Sequence, residues 1–505
     1  MSRKHDKKQA KAKIEKQTRK KEKKEKRREK EEKKKSKRKF NFRYGIVAKS
    51  SVKITRFAGL AEVGKMLDLA KTHLDHLDRL DLDNPDSNAP AGEHSSLWIP
   101  HSAVFKAVFC MLCTEKTSYA DIVSLNGDPL FLEIVGQPIS EETLRQRLDK
   151  MGRHPGVGKI VGDINLEVLK RCRLKTADCE GRQFFQLDID PTPMDNAKTH
   201  REGVGPVYDG TVGYCPSMVF IGGELAVLFE QRPGPRHSIN GAPELIDRAM
   251  DLTGRRGVEP EAVLAVLDSG HDGAAVFRTC DARKSKFIVK CNHRREARLK
   301  AGPMLKLARR LKVEPRPDGR VPGRLHYCFL MKDDHPSQLE DGIPCWRVAD
   351  VVVDTLDSDG RPVVNELEHA KSWSWWTNLE TEDPWTIVEL YRQHASMEQC
   401  HGELKSDMHF ERMPSGKFST NALFLQMAAV SFNILRWMGF KLLESGAPLP
   451  GFGEGRQPGR LRLRTIIDNI CLMPAALTAT GGRARIAVYA GDPWFHAFKE
   501  MHARC

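Results

Sequence analysis

Apolar residues recur at helical spacing in the first part of the chain. Between residues 52 and 151 this periodicity predicts several short helices, including one over 140–151. Ser140 suits the N-cap of that helix, and Glu141 and Glu142 in the first turn favour the helix dipole. The other predicted helices of this part cover 103–113, 119–125 and 129–135. The pattern therefore predicts a helical region over 43–178.

The periodicity changes to that of β-strands near residue 183. Apolar residues from Phe185 to Ile189 alternate with polar ones, so Asp188 and Asp190 share one face of the predicted strand. The run 263–267 is wholly apolar, which predicts a buried strand that stops at Asp268. Further predicted elements are strands near 208–214, 218–220, 225–229 and 287–290 and helices over 242–252 and 273–280. Together they predict an α/β core whose first part covers 179–294.

Short strand patterns separated by charged turns fill the next stretch, 295–370, which we interpret as a mostly β insertion. The second part of the core, 371–445, follows, and a C-terminal region covers 446–505. Within these segments the pattern predicts strands over 324–331, 346–354 and 372–377, a long helix over 384–406 and a buried helix over 419–438. A chain of 505 residues that is 40% hydrophobic can support several such folded units.

The excess positive charge lies at the N-terminus. The chain carries a net charge of +15, and residues 1–40 contain 22 Lys/Arg and 7 Asp/Glu, so this segment accounts for all of it. Residues 1–42 contain almost no large aliphatic side chains, which predicts a disordered basic tail. Such a tail either solubilises the protein or binds the phosphates of DNA or RNA without sequence preference.

The composition argues against a membrane protein and against a disulfide-rich one. The most apolar stretch, 422–440, is interrupted by Gln426, Asn433 and Arg436, which favours a buried core helix over a membrane span. The twelve cysteines have no regular spacing, and the Cys110/Cys113 pair lacks the second pair that a zinc site needs. We therefore expect reduced, mostly buried thiols in a cytosolic protein.

Three acidic residues on separate predicted elements are candidates for metal-dependent chemistry. Asp190 lies near the end of one strand, Asp268 follows another, and Glu398 lies on the long helix. Cleavage of a phosphodiester with two divalent ions needs carboxylates that converge in this way, and hard oxygen ligands select Mg²⁺ or Mn²⁺. Each acid alone is more often a turn, cap or solvated residue. Asp188 competes with Asp190 for the first position, and Asp272 competes less strongly with Asp268.

The helix 384–406 carries a group of polar residues at helical spacing. Tyr391, His394, Glu398 and Lys405 are separated by offsets that place them on one face of an α-helix. A carboxylate between a phenol, an imidazole and an ammonium can hold a cation and phosphate oxygens together. This face is therefore the strongest candidate for a functional site.

Two further features allow both a DNA-binding and an ordinary interpretation. The helix 140–151 presents Arg145 and Arg147 on its polar face, as does the second helix of a helix-turn-helix that enters a major groove. A solvated face of a packing helix explains the same pattern. Similarly, Trp373 and Trp375 could stack on bases, although core or interface packing is the more usual role of such residues.

These motifs together resemble those of the DDE transposases of bacterial insertion sequences, in particular DDE domain group 1, which has a β-rich insertion before the catalytic glutamate. Tyr391, Glu398 and Lys405 match the Tyr-(2)-Arg-(3)-Glu-(6)-Lys pattern of the family, and His394 replaces its arginine. Three other stretches are similar to family motifs, namely Leu187 to Thr192, Leu267 to Asp272 and Arg412 to Asn421.

The resemblance implies an RNase H-like core that contains the catalytic and metal-binding residues Asp190, Asp268 and Glu398. It implies metal-dependent nicking of DNA at insertion-sequence ends, followed by strand transfer into target DNA. Contacts to DNA are expected from Tyr391, His394, Lys405 and Arg412, together with Arg145 and Arg147 of the helical end-binding region. The implied partners are transposon-end and target DNA in a homodimeric complex, in the bacterial cytoplasm at the nucleoid.

Two other functions are compatible with the sequence. Histidine cannot grip a phosphate bidentately as arginine does, so an inactive or repurposed transposase that binds DNA is one alternative. An RNA-associated protein with a basic tail is the other.

Overall fold

The computed structural model describes Lys23 and residues 53–83, 98–293, 296–331, 345–453, 457–480 and 483–505. The predicted basic tail, 1–42, therefore lies outside the described residues except for Lys23. After the short strand β1 (Lys53–Thr55), the chain forms a layer of helices, as its periodicity predicts. These are α1 (Leu60–Leu69), α2 (Lys71–Asp78), α3 (His101–Leu112), α4 (Ile122–Leu125), α5 (Pro129–Val135), α6 (Glu141–Met151) and α7 (Pro155–Leu169), with a 3₁₀ turn at Tyr119–Asp121.

Side-chain caps fix the starts of two of these helices. Ser140 Oγ accepts a hydrogen bond from the backbone N–H of Thr143 at 3.1 Å, as expected for the N-cap of α6. At the start of α5, the buried Asp128 carboxylate accepts from the N–H of Leu130 at 3.0 Å and also from the Thr55 hydroxyl at 2.8 Å. The second contact ties β1 to the helical layer.

The central sheet is built around one long strand. The strands up to residue 290 are β2 (Ala177–Cys179), β3 (Arg182–Pro191), β4 (Met194–Asp195), β5 (Gly205–Pro206), β6 (Val212–Tyr214), β7 (Ser217–Ile221), β8 (Leu225–Glu230), β9 (Val263–Leu267) and β10 (Lys286–Lys290). Helices α8 (Ala242–Arg255) and α9 (Ala274–Ala282) connect β8, β9 and β10. β3 pairs antiparallel with β7 and parallel with β9, and β10 pairs parallel with β9. The short strands β4, β5 and β6 form a separate small sheet.

The predicted β insertion extends this central sheet. It contains α10 (Ala301–Arg310), β11 (Arg316–Pro317), β12 (Arg324–Met331) and β13 (Trp346–Asp354), and β14 (Ala370–Thr377) follows it. β14 pairs antiparallel with β10, so these strands continue the sheet in the order β11-β12-β13-β14-β10-β9-β3-β7-β8, with β2 on β3. The strand patterns predicted β12, β13 and β14, but not α10, β11 or the pairing partner of β14.

The long helix predicted over 384–406 is interrupted, which corrects the expectation of one continuous face. The structure has α11 (Pro384–Gln393), α12 (Ser396–Gly402) and a π-helical turn, Glu403–Asp407. The N–H of His394 bonds to Tyr391 O at 2.9 Å, three residues back, whereas the N–H of Met408 bonds to Glu403 O at 3.0 Å, five residues back. The backbone is therefore wound more tightly than an α-helix at His394 and more loosely at Met408. As a result, the segment does not keep the 3.6-residue period of one continuous α-helix.

The apolar helix α13 (Phe418–Glu444) lies inside the protein. It is long and apolar enough to span a membrane, but 78% of its most apolar window is buried in this fold. The C-terminal elements are α14 (Leu463–Ile466), a π-helical turn at Ile467–Cys471, β15 (Ala475–Thr480), β16 (Arg483–Val488) and α15 (Phe495–Arg504). β15 pairs with β1, so the C-terminal region closes on the helical layer. Nine of the twelve cysteines are buried, in agreement with the expectation of mostly buried thiols.

Two asparagines attach the helices to the end strand of the sheet. The Asn433 side chain on α13 accepts a hydrogen bond from Ala226 N at 2.8 Å and donates to Ala226 O at 2.7 Å and to Asn165 Oδ1 at 2.9 Å. Asn165 on α7 in turn donates to Val227 O at 3.0 Å. These side chains therefore satisfy backbone groups of β8 that would otherwise be buried without partners.

We expect Asn433→Ala to lower the free energy of unfolding by about 2–4 kcal/mol, because it leaves the N–H of Ala226 and Oδ1 of Asn165 buried and unpaired. Denaturant unfolding followed by tryptophan fluorescence measures the change. Glu444→Ala, at the exposed end of the same helix, is the matched control. Equal stability of the two variants would contradict this role of Asn433.

Candidate active site

The parallel pairing of β3 with β9 brings the first two candidate carboxylates together. Ile189 on β3 pairs with Leu267 on β9, so Asp190 and Asp268 are the next residues at the same edge of the sheet. Both strands are buried on both faces, which fixes their register. Asp190 keeps 26% of its side-chain surface exposed and Asp268 keeps 45%, so both acids face solvent at this edge.

Both other predicted acids, Asp268 and Glu398, influence the electrostatics of Asp190. Burial raises the pKa of Asp190 to about 7, and the charges of Asp268, Glu398 and Asp188 add to the rise, whereas His394 opposes it. Three carboxylates from two strand ends and from α12 therefore repel one another here. A bound cation would relieve this repulsion.

Asp188 and His394 form a buried pair behind these acids. The Asp188 carboxylate is fully buried, and its Oδ1 lies 2.8 Å from His394 Nδ1. Burial disfavours the charged imidazole, but the hydrogen bond and charge of Asp188 outweigh it and raise the pKa of His394. His394, at the position of the family's arginine, thus holds the α11–α12 junction against the central strand. Because Asp188 is enclosed and Asp190 is open, the geometry favours Asp190 as the first acid.

Tyr391 lies beside Asp268, and Lys405 lies beside the segment that follows β3. Burial and the Asp268 carboxylate both raise the pKa of the Tyr391 hydroxyl, whose ring packs against Trp375 with centroids 5.5 Å apart. Lys405, in the π-helical turn, donates a hydrogen bond to Pro193 O just beyond β3, and burial lowers the pKa of its ammonium. Glu398 itself is exposed on α12. Despite the interrupted helix, these side chains remain near the strand ends.

Four residues near the carboxylates were not identified from the sequence. His401 Nδ1 lies 3.8 Å from Asp190 Oδ2, and burial lowers the pKa of this histidine to about 3, so it is neutral. Lys290 Nζ lies 3.9 Å from Asp268 Oδ1. Arg236 and His237 follow β8 and line a cavity beside the acids. Of these four residues, only His401 could have been found from the sequence, because it lies three residues after Glu398 on the same helix. Lys290, Arg236 and His237 belong to parts of the chain that are distant in sequence from that helix.

The cavity next to Asp190 and Asp268 has a volume of about 590 Å³. Its polar lining includes Tyr208, Arg236 and Asn292. This volume is within the usual range for sites that enclose a small ligand or part of one. The cavity could hold a segment of a polar, negatively charged substrate directly against the carboxylates.

The site lacks a closed set of metal ligands. In the part of the chain that the structure describes, no three His, Cys, Asp or Glu side chains form a group that could hold a metal ion. The donor chemistry nevertheless suits a hard divalent cation, because Asp190, Asp268 and Glu398 offer only oxygen atoms.

The other predicted DNA-binding residues lie outside this site. Arg145 is exposed on α6 and pairs with Glu142, with Nη2 and Oε1 2.6 Å apart. Arg147 is half-buried, donates to Ile99 O at 2.9 Å and contacts the His101 ring, so the chain itself occupies its guanidinium. Arg412 is exposed. The helical layer thus offers Arg145 to a partner more readily than Arg147.

Trp373 and Trp375 on β14 pack in the protein interior and are not presented for stacking on bases. Trp375 is 4% exposed and Trp373 is half-buried, and both pack in the cluster between the sheet and α11. They support the position of Tyr391 from behind.

Comparison with known proteins identifies the family. The model of the family described as transposase DDE domain group 1 matches residues 106–466, which is most of the chain. The protein therefore belongs to this family of DDE transposases. Among solved structures, the chain is similar to the piggyBac transposase synaptic complex with hairpin DNA, with a TM-score of 0.42 and 10% identity over 84% of this chain and 82% of that one. No curated protein matches the chain.

The raised pKa of Asp190 predicts a pH-dependent effect of Asp190→Asn on stability. The folded protein holds this proton up to about pH 7, whereas the unfolded chain releases it near 3.8, so ionisation costs folded-state stability as the pH rises between these values. We expect Asp190→Asn to stabilise the metal-free protein by roughly 1–3 kcal/mol at pH 8 and to have little effect at pH 4. Thermal unfolding in the presence of EDTA measures the change in stability at both pH values, with Asp281→Asn, at an exposed position, as the control. An equal effect at both pH values would contradict the assignment.

Proposed function

We propose that this transposase cuts DNA at the ends of a mobile element and joins them to target DNA, with Asp190, Asp268 and Glu398 as its catalytic carboxylates. The observation that carries the proposal is that Asp190 and Asp268 follow paired positions at one edge of the sheet, where the charges of Asp268 and Glu398 raise the pKa of Asp190. Such groups of acids with perturbed pKa values are typical of functional sites.

The topology supports an RNase H-like core. Strands β8, β7 and β3 are antiparallel neighbours, and β9 and β10 continue parallel to β3, with helices between the later strands. In this proposal the core covers 179–294 and 371–445, and the 295–370 insertion widens its sheet. The helical region 43–178 then binds transposon ends, the basic tail 1–42 adds contacts to phosphates, and 446–505 forms the C-terminal region.

The proposed cofactor is Mg²⁺ or Mn²⁺, held by Asp190, Asp268 and Glu398. When bound, such ions lower the pKa of the attacking water or hydroxyl and stabilise the leaving oxygen. The carboxylates of this chain fit the role because they supply hard oxygen donors whose mutual repulsion favours a cation.

The remaining side chains of the site would position the DNA strand. The Tyr391 hydroxyl can donate one hydrogen bond to a phosphate oxygen, and the Lys405 ammonium adds a positive charge near the end of β3. His394 acts through Asp188 and holds the junction of α11 and α12 in place. Arg412 and Arg145, both exposed, would contact phosphates farther from the cut. Two copies of the chain would act together on two transposon ends. The reaction would take place in the bacterial cytoplasm at the nucleoid.

A second candidate function follows from His394. Its Nδ1 is occupied by Asp188, so it cannot grip phosphate as the family's arginine does. An inactive or repurposed transposase that binds DNA without cutting it would tolerate this change.

Glu398→Gln separates the two candidates. We expect the wild type to nick a supercoiled plasmid that carries the DNA flanking its own gene when Mg²⁺ or Mn²⁺ is present, and Glu398→Gln to reduce nicking at least about 100-fold. Binding of the same DNA should persist in a gel-shift assay. Glu389→Gln, an exposed change on the preceding helix, is the control. A wild type that binds this DNA but never nicks it would favour the binding function, and preference for RNA would exclude both.

Binding of Mn²⁺ tests the choice of first acid. We expect Asp190→Asn to weaken Mn²⁺ affinity at least about 10-fold, because it removes a charged ligand. Asp188→Asn should leave this affinity within a few-fold of wild type, because the Asp188 carboxylate is bound to His394 and is not a proposed metal ligand. Titration with Mn²⁺, with the free ion measured by electron paramagnetic resonance, gives the dissociation constant of each variant. The opposite ranking would transfer the role to Asp188.

A further inference from the structure

Three arginines of the C-terminal region, at every second position, form hydrogen bonds to the segment that contains Lys405. Arg460, Arg462 and Arg464 lie just before and within α14, and all three bond to residues between Gln399 and Asp407. We infer that these arginines, here called the arginine clamp, position Lys405 for the DNA-cleavage reaction. The inference rests on the proposed function and assigns a role to the C-terminal region.

Asp407, at the end of the π-helical turn, is the first point held by the clamp. Its carboxylate is 2% exposed and accepts two hydrogen bonds from Arg462, from Nε at 2.8 Å and from Nη2 at 2.9 Å. The backbone N–H of Arg464 adds a third at 3.1 Å. A bidentate contact of this kind fixes direction as well as distance.

Glu403, at the start of the same turn, is the second point. Its carboxylate is also 2% exposed, and its Oε1 accepts from the N–H of Leu463 at 3.1 Å. Its Oε2 accepts from Arg460 of the clamp and from Arg436 of α13, the latter at 2.5 Å. Both ends of the turn are therefore anchored to the same C-terminal segment.

The third contact joins the clamp to the helical layer. The Arg464 guanidinium donates to Ser406 O at 2.9 Å and also pairs with Glu115, just after α3. One arginine thus connects the helical region, the C-terminal region and the catalytic segment.

Lys405 lies between the two anchored carboxylates. The π-helical turn directs its ammonium to Pro193 O, three residues after Asp190. Isolated π-helical turns are rare and occur mostly at functional sites, so this conformation needs support from outside the turn. Without the clamp, relaxation to an ordinary α-helix would rotate Lys405 about the helix axis and away from the carboxylates.

Arg462 offers the clearest test, because its side chain is 61% exposed and its loss creates no cavity. We expect Arg462→Gln to lower the cleavage rate at saturating protein about 10- to 100-fold, with the half-saturating concentration nearly unchanged. The substrate is the supercoiled plasmid with the gene's flanking DNA, cut in the presence of Mn²⁺. Arg462→Lys, which keeps the charge but not the bidentate contact, should recover part of the rate.

A matched control separates positioning from general loss of an ion pair. Arg283 bonds to Asp247 and Asp251, each at 2.7 Å, on the surface formed by α8 and α9. Arg283→Gln should cleave at the wild-type rate. If Arg462→Gln unfolds, as judged by near-ultraviolet circular dichroism, Arg464→Gln replaces it, since the backbone N–H of that residue still bonds to Asp407.

A double-mutant cycle with Lys405→Ala decides whether the clamp acts through Lys405. If it does, adding Arg462→Gln to Lys405→Ala should reduce the rate by less than about 2-fold further. Full multiplication of the two losses would overturn the inference, as would wild-type cleavage by Arg462→Gln. A wild type that cuts no DNA would instead refute the proposed function.

Discussion

The pairing of β3 with β9 is the constraint on which the candidate site depends. Because the two strands run parallel and Ile189 pairs with Leu267, Asp190 and Asp268 leave the sheet at the same edge. Ile189 and Leu267 are both fully buried, so a shift of register would disrupt their packing and offset Asp190 from Asp268. The hydrophobic core therefore determines the geometry of the polar site through the register of the sheet.

Buried ion pairs attach the peripheral segments to this sheet. His394 binds Asp188 beneath the candidate site, and Glu403 and Asp407 bind arginines from α13 and the C-terminal region. In the widened part of the sheet, Arg347 on β13 makes two hydrogen bonds of 2.9 Å to Glu296. Removal of charges from water offsets much of their attraction, so such pairs add less to stability than to the choice of a single arrangement. Here that arrangement brings a distant helix and a distant C-terminal segment to the strand ends.

The sequence predicted individual elements better than their connections. The wholly apolar run at 263–267 became β9 with the same bounds, and the alternation around Asp190 became β3, because burial pattern alone identifies such strands. The strand patterns of the predicted insertion did not reveal how it joins the sheet, because the pairing of β14 with β10 brings together residues far apart in the chain. The long helix predicted over 384–406 was also wrong as one element, since local spacing reveals neither the contact of His394 with Asp188 nor the arginines that bind Glu403 and Asp407.

The sequence by itself determined the candidate chemistry: the acids Asp190, Asp268 and Glu398, the residues Tyr391 and Lys405 near them, and the family to which the chain belongs. These depend on residue type and local spacing, which the linear order preserves. Tertiary structure decided that Asp188 is enclosed by His394 and that Asp190 is open. It also decided that His401 and Arg236 lie beside the acids and that Arg147 is held within the chain. These depend on burial and on contacts between distant residues, which arise only when the core packs.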